Sequence, residues 1–289
     1  ASSNNSAIEQ FGVQDENGVY HLTANPSMFT GGSTNGSNAT TGAYNVARIG
    51  NDCWDMVYWA WNKVSTTVTA DQTVQMTPDF GVFLVGQDIL EKALRDFGVK
   101  PVDFVCSDSG ASTGGFTDCL LQQGAAKVFA IDVGTDQLVD KIRNDPRVVV
   151  MEQTNIRYVT PADLGEPLDL SVVDVSFISL QLVLPVLKAL LKPGRGQVLC
   201  LIKPQFEAGK ENLGKKGVVR DPAIHRQVLD NFLAFVQELG FRVLGLTYSP
   251  VRGPEGNIEF LGHLSLDNRQ SIAVNTAAIV AAAHESLKV

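Results

Sequence analysis

The stretch that decides the fold is VDFVCSDSGASTGGFTDCL, residues 102–120, in which a short apolar run leads directly into a loop rich in glycine, serine and threonine. The apolar run at 102–107 predicts a buried β-strand. Asp108 ends this strand, and Gly110 and Gly114 would let the loop backbone approach a ligand closely. A glycine-rich turn is often only a tight loop, so what this one binds depends on the pattern around it.

From about residue 88 onward, short apolar runs alternate with helical stretches. The apolar runs, predicted as strands, lie at 102–107, 127–132, 147–151, 168–174, 196–203, 242–248 and 257–264. The helical stretches lie at 89–97 and near 115–123, 135–144, 179–191 and 222–239. This alternation is typical of right-handed βαβ units, so we expect an α/β fold, a doubly wound and mostly parallel sheet with helices on both faces. The predicted domain covers residues 81–270, and a helical tail follows at 271–289.

Residues 1–80 have a different character, with seven acidic and only two basic side chains. The polar run at 30–42 cannot bury enough apolar surface to offset its ordering entropy, which predicts disorder. The tryptophan-rich patch at 53–61 and the β-branched run at 64–69 favour a small β-rich unit. Ordinary packing explains its aromatic side chains better than base stacking or sugar binding does. We therefore expect a short atypical N-terminal segment, partly disordered or β-rich.

Charge, cysteine content and hydrophobicity restrict the class of protein. The formal net charge of the 289 residues is −8, so a nucleic-acid partner would have to meet a local basic patch. The four cysteines are widely spaced and form no C-x-x-C pair, which favours buried reduced thiols in a cytoplasmic protein over disulfides or a metal site. No stretch approaches the roughly 18 uninterrupted apolar residues of a membrane span, so we expect no membrane partner.

A second acidic residue, Asp132, closes the next predicted strand in the run FAIDVG at 129–134. Ligands of a doubly wound sheet bind at the carboxyl ends of the strands, where a carboxylate can accept hydrogen bonds from both hydroxyls of a ribose. Each signal is weak alone, since an aspartate at a strand end often caps a helix. Together, the glycine-rich loop and Asp132 favour a cofactor that carries a nucleoside.

Five long motifs follow one another along the predicted domain. They are SGASTGGFTDCLLQQGA (109–125), DPRVVVMEQTN (145–155), DVSFISL (174–180), LIKPQFEAGKENLGKKGVVRD (201–221) and GPEGNIEF (253–260). In order and spacing they resemble the hemolysin-A-type (TlyA) ribosomal RNA 2′-O-methyltransferases, relatives of the FtsJ-like enzymes, over about residues 88–265. The resemblance implies a class I, Rossmann-like methyltransferase fold with a seven-stranded sheet. It also implies S-adenosylmethionine as the cofactor and ribosomal RNA or ribosomal subunits as the partner.

The resemblance assigns roles to individual residues. Those implied to bind the cofactor are Asp108, Gly110, Ser112 and Gly114 in the loop, Asp132 at the ribose, Asn155 beside the adenine and Asp174 facing the methionine. Those implied to be catalytic are Lys203, Asp174 and Glu259. It implies no metal.

The residue types suit methyl transfer to a ribose hydroxyl, which needs aligned reactants, removal of a poorly acidic proton and a site poor in water. Lys203 ends a predicted strand, where desolvation could lower its pKa while nearby carboxylates hold it in position. The commoner role of a lysine at a strand end is to extend its ammonium into solvent, but the KPQFE context favours a functional role. Glu259 lies in an apolar strand, so it should have a polar partner.

One catalytic position differs from the family pattern. The FtsJ-like enzymes use a lysine–aspartate–lysine–glutamate set, and Ile89 stands where the resemblance places the first lysine. Lys92 lies one turn away on the same helix face, but reaching that position would need a backbone shift. The alternative function is therefore a catalytically impaired methyltransferase-fold protein that binds S-adenosylmethionine or RNA. A secreted pore-forming or carbohydrate-binding protein is a weaker alternative, because no amphipathic membrane segment is visible.

Contact with RNA would have to come from a basic segment of the predicted domain. Residues 203–226 hold six basic and three acidic side chains. A solvated charged loop is the default interpretation, but beside a methyltransferase site the same loop would meet phosphates. The predicted RNA-binding residues are Lys210, Lys215, Lys216 and Arg220.

Overall fold

The computed structural model describes residues 12–14, 20–23, 73–76, 78–214, 217–253 and 256–287. The chain divides into two compact units, Ala1–Val85 and Gly86–Val289. In the first unit, three strands form an antiparallel sheet in the order β1 (Gly12–Gln14), β2 (Tyr20–Thr23) and β3 (Thr73–Met76). Several expectations lie outside the described residues, namely those for 30–42, 53–61 and 64–69 and those for Lys215 and Lys216.

The second unit is built on a seven-stranded sheet. Its strands are β4 (Val105–Ser109), β5 (Lys127–Ile131), β6 (Val148–Met151), β7 (Leu170–Val173), β8 (Gln197–Ile202), β9 (Arg242–Tyr248) and β10 (Phe260–Ser265). The order across the sheet is β6-β5-β4-β7-β8-β10-β9. Strands β4 to β8 pair in parallel, whereas β10 is antiparallel to both β8 and β9. The predicted α/β fold with a doubly wound, mostly parallel seven-stranded sheet is confirmed.

Helices accompany the strands along the chain. They are α1 (Pro78–Phe97), α2 (Gly115–Gln122), α3 (Asp140–Arg143), α4 (Pro161–Leu164), α5 (Leu180–Leu190), α6 (Pro204–Glu207), α7 (Pro222–Glu238) and α8 (Thr276–Ser286). Two 3₁₀ turns lie at Ile156–Tyr158 and Lys210–Asn212. Buried leucines of α5 and α7, such as Leu184 and Leu229, pack into the core with Val198 of β8. None of the described helices combines the length and apolar character needed to cross a membrane.

Strand β4 begins and ends later than its predicted range of 102–107. Val102 is 56% exposed, so the apolar run starts outside the sheet. The polar residues Ser107, Asp108 and Ser109 are instead completely buried within the strand. The Ser107 hydroxyl donates to the Ser171 hydroxyl of β7 at 2.8 Å, which satisfies part of this polarity. Asp108 and Ser109 are polar, so the apolar run does not extend over them. The predicted strand therefore ends two residues before the observed one.

The helix predicted near 135–144 is much shorter than expected, since α3 forms only the last part of that range. The preceding loop is held by the carboxylate of Glu152, which accepts hydrogen bonds from the amides of Asp136 and Gln137, each at 2.9 Å. Burial alone would raise the pKa of Glu152, but these hydrogen bonds and one from Arg143 outweigh it and lower the pKa to about 2. The backbone at Asp136 is therefore held by a side chain sixteen positions further along the chain, and it does not form the first part of the predicted helix.

The cysteines match the expectation of reduced thiols as far as the described residues reach. The three described cysteines, Cys106, Cys119 and Cys200, are buried, and none of them forms a disulfide. Burial raises the pKa of Cys106 and of Cys200, so both thiols stay protonated and unreactive.

Candidate active site

A cleft of about 670 Å³ opens at the carboxyl ends of the parallel strands, where β4 and β7 lie side by side. This is the point at which the strand order reverses, and doubly wound sheets bind their ligands there. Five of the residues implied to bind the cofactor line this cleft: Gly110, Ser112, Asp132, Asn155 and Asp174. The structure therefore brings together side chains that are up to 64 positions apart in the sequence.

The two glycines of the loop are required by packing. Gly110 has φ +87°, and a Cβ there would lie 2.3 Å from the carbonyl oxygen of Asp174. Gly114 has φ +97° and precedes α2, and a Cβ there would press on Leu138 and Ile142 at 3.1–3.2 Å. Positive φ is cheap only for glycine, so both positions exclude a side chain. Gly110 faces the cleft, whereas the close neighbours of Gly114 are apolar side chains.

Asp108 lies beneath the loop. Its side chain is completely buried, and Oδ2 accepts a hydrogen bond from the Thr117 hydroxyl at 2.7 Å. Burial raises the pKa of Asp108 to about 7, and the hydrogen bond from Thr117 offsets this only in part. Asp108 therefore joins the start of α2 to β4; it does not line the cleft, but its charge interacts with those of Asp174 and Asp132, which do.

Asp132 is oriented by two backbone amides at the edge of the cleft. Its Oδ2 accepts from the amide of Ser112 at 2.8 Å, and its Oδ1 accepts from the amide of Gly134 at 2.7 Å. Each carboxylate oxygen can accept a second hydrogen bond. The carboxylate is thus held in place by the glycine-rich loop and keeps acceptor capacity for two hydroxyl groups.

The wall beyond Asp132 is partly apolar. Val133 lines the cleft and is largely exposed, and Ile156 lines it from the buried side. Asn155 caps the 3₁₀ turn, because its Oδ1 accepts from the amide of Arg157 at 3.1 Å. The side-chain amide of Asn155 keeps its two N–H donors, so an apolar surface and a polar edge meet here, as an adenine ring requires.

A lysine and an aspartate form the charged centre of the site. Lys203 is only 8% exposed, and its Nζ lies 2.6 Å from Oδ1 of Asp174. The same ammonium donates to the Ser176 hydroxyl at 3.0 Å. Burial alone would lower the pKa of Lys203, but the charges of Asp174 and Glu259 outweigh it and raise the pKa above its ordinary value. The expectation of a lowered pKa is wrong, because two carboxylates share one ammonium.

Glu259 is the second carboxylate of this cluster and is only 2% exposed. Burial raises its pKa to about 7, which the charge of Lys203 partly opposes and that of Asp174 reinforces. A polar partner was expected for Glu259, and the structure identifies it as Gln205, whose side-chain amide donates to Oε1 at 2.9 Å. Glu259 therefore changes protonation near neutral pH.

The segment Lys203–Glu207 ties the parts of the site together. Lys203 reaches Asp174 and Gln205 reaches Glu259. The Glu207 carboxylate accepts from the Ser179 hydroxyl at 2.7 Å and from the Leu180 amide at 2.8 Å, which fixes the start of α5. The motif KPQFE thus connects the ends of β7 and β8 with the segment before β10.

Phe177 stands at the mouth of the cleft in an unusual conformation. It is 92% exposed, its φ is +63°, and its ring lies 5.2 Å from that of Phe206. A left-handed backbone costs a bulky residue about 1–3 kcal/mol and persists where the surrounding structure imposes it, often at functional sites. Apart from the motif DVSFISL itself, no sequence signal predicts this backbone conformation.

The remaining predicted positions lie on α1 and in the segment that follows Lys203. Ile89 is buried on α1. Lys92 forms an ion pair with Asp96 and lies 5.3 Å from the centre of the Tyr248 ring, so it is engaged elsewhere. Lys210 and Arg220 are exposed in the segment that follows Lys203. Within the described residues, no group of three or more histidine, cysteine or acidic side chains is arranged to hold a metal ion.

The doubly wound sheet, with its cleft at the point where the strand order reverses, has the architecture of a domain that binds a nucleotide-type cofactor. The family model for FtsJ-like methyltransferases matches residues 90–266, and the chain belongs to this family. Methyltransferases of this family use S-adenosylmethionine as the methyl donor.

Named relatives carry the same assignment. YqxC of Bacillus subtilis, named as a candidate rRNA methyltransferase, is 50% identical over 206 residues, which cover 69% of this chain and 73% of that protein. TlyA of Mycobacterium tuberculosis, named as a 16S/23S rRNA (cytidine-2′-O)-methyltransferase, is 43% identical over 202 residues, which cover 70% and 74%. A solved structure from Streptococcus thermophilus, named as a candidate hemolysin, is 49% identical, covers 70% of this chain and 74% of that one, and has a TM-score of 0.68. The resemblance to the hemolysin-A-type enzymes is confirmed.

Proposed function

We propose that this protein transfers a methyl group from S-adenosylmethionine to a ribose 2′-hydroxyl of ribosomal RNA. The observation that carries the proposal is the Lys203 ammonium, 2.6 Å from Asp174 at the cleft and electrostatically coupled to the buried Glu259. The names of the M. tuberculosis and B. subtilis relatives point to the same substrate. Such a substrate would place the protein in the cytoplasm.

The cleft fits the cofactor. Asp132 would hold the ribose hydroxyls, Val133 and Asn155 would lie by the adenine, and Asp174 would face the amino-acid part. When bound, the cofactor supplies an electrophilic methyl group on a sulfonium ion. Gly110 lines the cleft without a side chain, and a Cβ there would meet the backbone carbonyl of Asp174, so the loop and the end of β7 keep their close approach.

The lysine–carboxylate cluster would handle the proton of the hydroxyl. Lys203 is charged in the free protein, and a second positive charge in the cleft would lower its pKa, since like charges disfavour the charged form. Asp174 and Ser176 hold Nζ in one place; once Nζ has released a proton of its own, it can accept the hydroxyl proton as the oxygen becomes bonded to carbon. Glu259, with a pKa of about 7, could receive a proton from the cluster.

The mouth of the cleft would bind RNA through both stacking and charge. The exposed ring of Phe177 lines it, the exposed Tyr158 follows Arg157 of the cleft lining in the chain, and an aromatic face can stack on an unpaired base. The guanidinium of Arg157 lies 5.6 Å from the centre of the Tyr158 ring. Lys210 and Arg220 would meet phosphates beyond the stacked base.

Transfer of labelled methyl groups tests the proposal. The protein would be incubated with S-adenosylmethionine carrying a tritiated methyl group and with unmodified ribosomal RNA or unmodified ribosomal subunits, and the RNA digested to nucleosides. We expect a ribose-methylated nucleoside, and a higher yield from one of the two acceptors identifies the form of the partner. A product methylated on the base would contradict ribose transfer, and no product from either acceptor would favour the alternative of an impaired, ligand-binding protein.

The substitution Ile89→Lys should raise the rate of transfer about tenfold or more, because the cluster has two carboxylates and one ammonium. Ile89 occupies the position at which the resemblance places the first lysine of the catalytic set, the lysine that would be the second ammonium of this cluster. The matched control is Ile89→Met, which has a similar length and no charge. The measurement is the single-turnover rate with saturating cofactor. An equal rate for both variants would show that this protein does not need a lysine at position 89.

A further inference from the structure

The C-terminal helix α8 packs against α7 and β9. At its start, the Thr276 hydroxyl donates to the Asp230 carboxylate of α7 at 2.7 Å. At its end, the hydroxyl of Ser286 lies 2.9 Å from that of Tyr248 in β9. The last turn of α8 therefore lies over the end of β9, from which the chain leads to Glu259.

One contact links α8 to the residue that follows Glu259. Nε2 of His284 lies 2.9 Å from Nδ1 of His225 on α7. His225 is completely buried, and its ring stands edge-on to the ring of Phe260, with 5.7 Å between the centres. The histidine pair thus packs against Phe260, the first residue of β10.

A second contact links α8 to the backbone on which Glu259 rests. The Arg252 guanidinium donates to the carbonyl of Leu287. At the next residue, Gly253, a Cβ would lie 2.3 Å from Oε1 of Glu259, so the carboxylate lies directly against this backbone. The Gly253 amide donates to the carbonyl of Asn257 at 2.9 Å, which joins this backbone to the residues just before Glu259.

We propose that the end of helix α8 positions Glu259 of the active site, with His284, His225 and Arg252 as positioning residues that hold the segment 249–260 from two sides. The inference rests on the proposed role of Glu259. It gives the C-terminal helix a part in the reaction although none of its residues lines the cleft.

The histidine pair makes this support sensitive to pH. A hydrogen bond between two imidazoles needs one donor and one acceptor, so the pair cannot keep it once both rings are charged. Burial and the neighbouring His284 lower the pKa of His225 to about 4, and burial and Arg252 lower that of His284, while Asp221 opposes both shifts. The folded pKa lies below the ordinary value, so the contact is fully stable above about pH 6.5 and weakens as the pH falls towards 4.

Hydrogen–deuterium exchange tests the proposal without any methyl acceptor. After correction for the chemical exchange rate, the amides of Ser249, Gly253 and Gly256 should exchange about tenfold faster at about pH 5.5 than at about pH 7.5. Amides of β4 and β5 should keep their protection. Equal exchange at both pH values, or the same acceleration throughout the sheet, would overturn the proposal.

Variants separate the histidine pair from general acid effects. The double substitution His225→Gln and His284→Gln keeps neutral hydrogen-bonding side chains and should remove the pH response of the segment; His284→Gln alone should reduce it, which serves if the double variant folds poorly. His263→Gln is the matched control, because burial also lowers the pKa of His263 to about 4 while its ring contacts Gln197 and Phe97. It should leave the response intact. A full response in the double variant would refute the role of the pair.

Transfer assays on the same proteins keep the two proposals apart. In the wild type, kcat should fall below about pH 5 more steeply than in the double variant, because the pKa of His225 is about 4, while the KM for S-adenosylmethionine changes little, since the contacts at Asp132 are remote from α8. If the wild type transfers no methyl group at any pH, the proposed function fails, and the exchange data still decide whether α8 holds the segment.

Discussion

Replacing Lys203 with methionine is expected to lower the rate of methyl transfer about 10³-fold or more, the largest effect at any position of the site. Methionine keeps most of the length and apolar contact of the side chain, but it can neither pair with Asp174 nor bond to Ser176. The proton of the ribose hydroxyl would then have no acceptor at the reacting oxygen. Single-turnover transfer with saturating cofactor measures the loss, and calorimetry with S-adenosylmethionine should show a Kd within about tenfold of the wild type.

Lys192→Met is the matched control for this prediction. Lys192 is also a partly buried lysine, and its Nζ lies 2.6 Å from the carboxylate of Asp169. Asp169 directly precedes β7, so this pair lies at the amino end of the strand, away from the cleft at the carboxyl ends. Both variants lose one lysine–aspartate pair, so their Tm values should fall by similar amounts, whereas only Lys203→Met should lose transfer. More than a tenth of the wild-type rate in Lys203→Met would show that another group removes the proton.

The fold could be predicted from the sequence because its signals are local. Apolar runs of four to eight residues alternate with helical stretches, and each strand needs only its own residues to be recognised. The exception is instructive: Ser107, Asp108 and Ser109 continue β4 into the buried sheet, and their polar side chains look like the start of a loop. These side chains are buried by β5, β7 and α2, which are formed by other parts of the sequence.

The positions of the site residues were also predictable in part. Asp132 and Gly110 stand at strand ends, where the topology of a doubly wound sheet brings them to one cleft. The contacts between Gln205 and Glu259 and between Ser176 and Lys203 join residues 54 and 27 positions apart, and no periodicity encodes them. The pKa of Lys203 is raised and not lowered as expected. Its direction depends on how many carboxylates surround the ammonium, and these come from distant parts of the sequence.

Replacing Asp132 with alanine is expected to weaken the binding of S-adenosylmethionine about 10²- to 10³-fold. The carboxylate is already held by the amides of Ser112 and Gly134, so it presents its remaining acceptor sites without further ordering. Two hydrogen bonds from ribose hydroxyls to a carboxylate are each worth about 1.5–3 kcal/mol, and alanine removes both. Calorimetric titration of the purified protein measures the change in Kd.

Two further variants define what a loss at Asp132 means. Asp136→Ala is the control, because Asp136 is 88% exposed four residues further along the same loop and pairs with Arg143 at its surface. It should bind the cofactor as the wild type does. Asp132→Asn keeps one oxygen acceptor and should lie between the two, which separates the charge of the carboxylate from the shape of the loop. If all three variants bind equally well, the ribose lies elsewhere in the cleft, and if the wild type itself does not bind, the domain keeps the methyltransferase fold without its cofactor and acts as a scaffold.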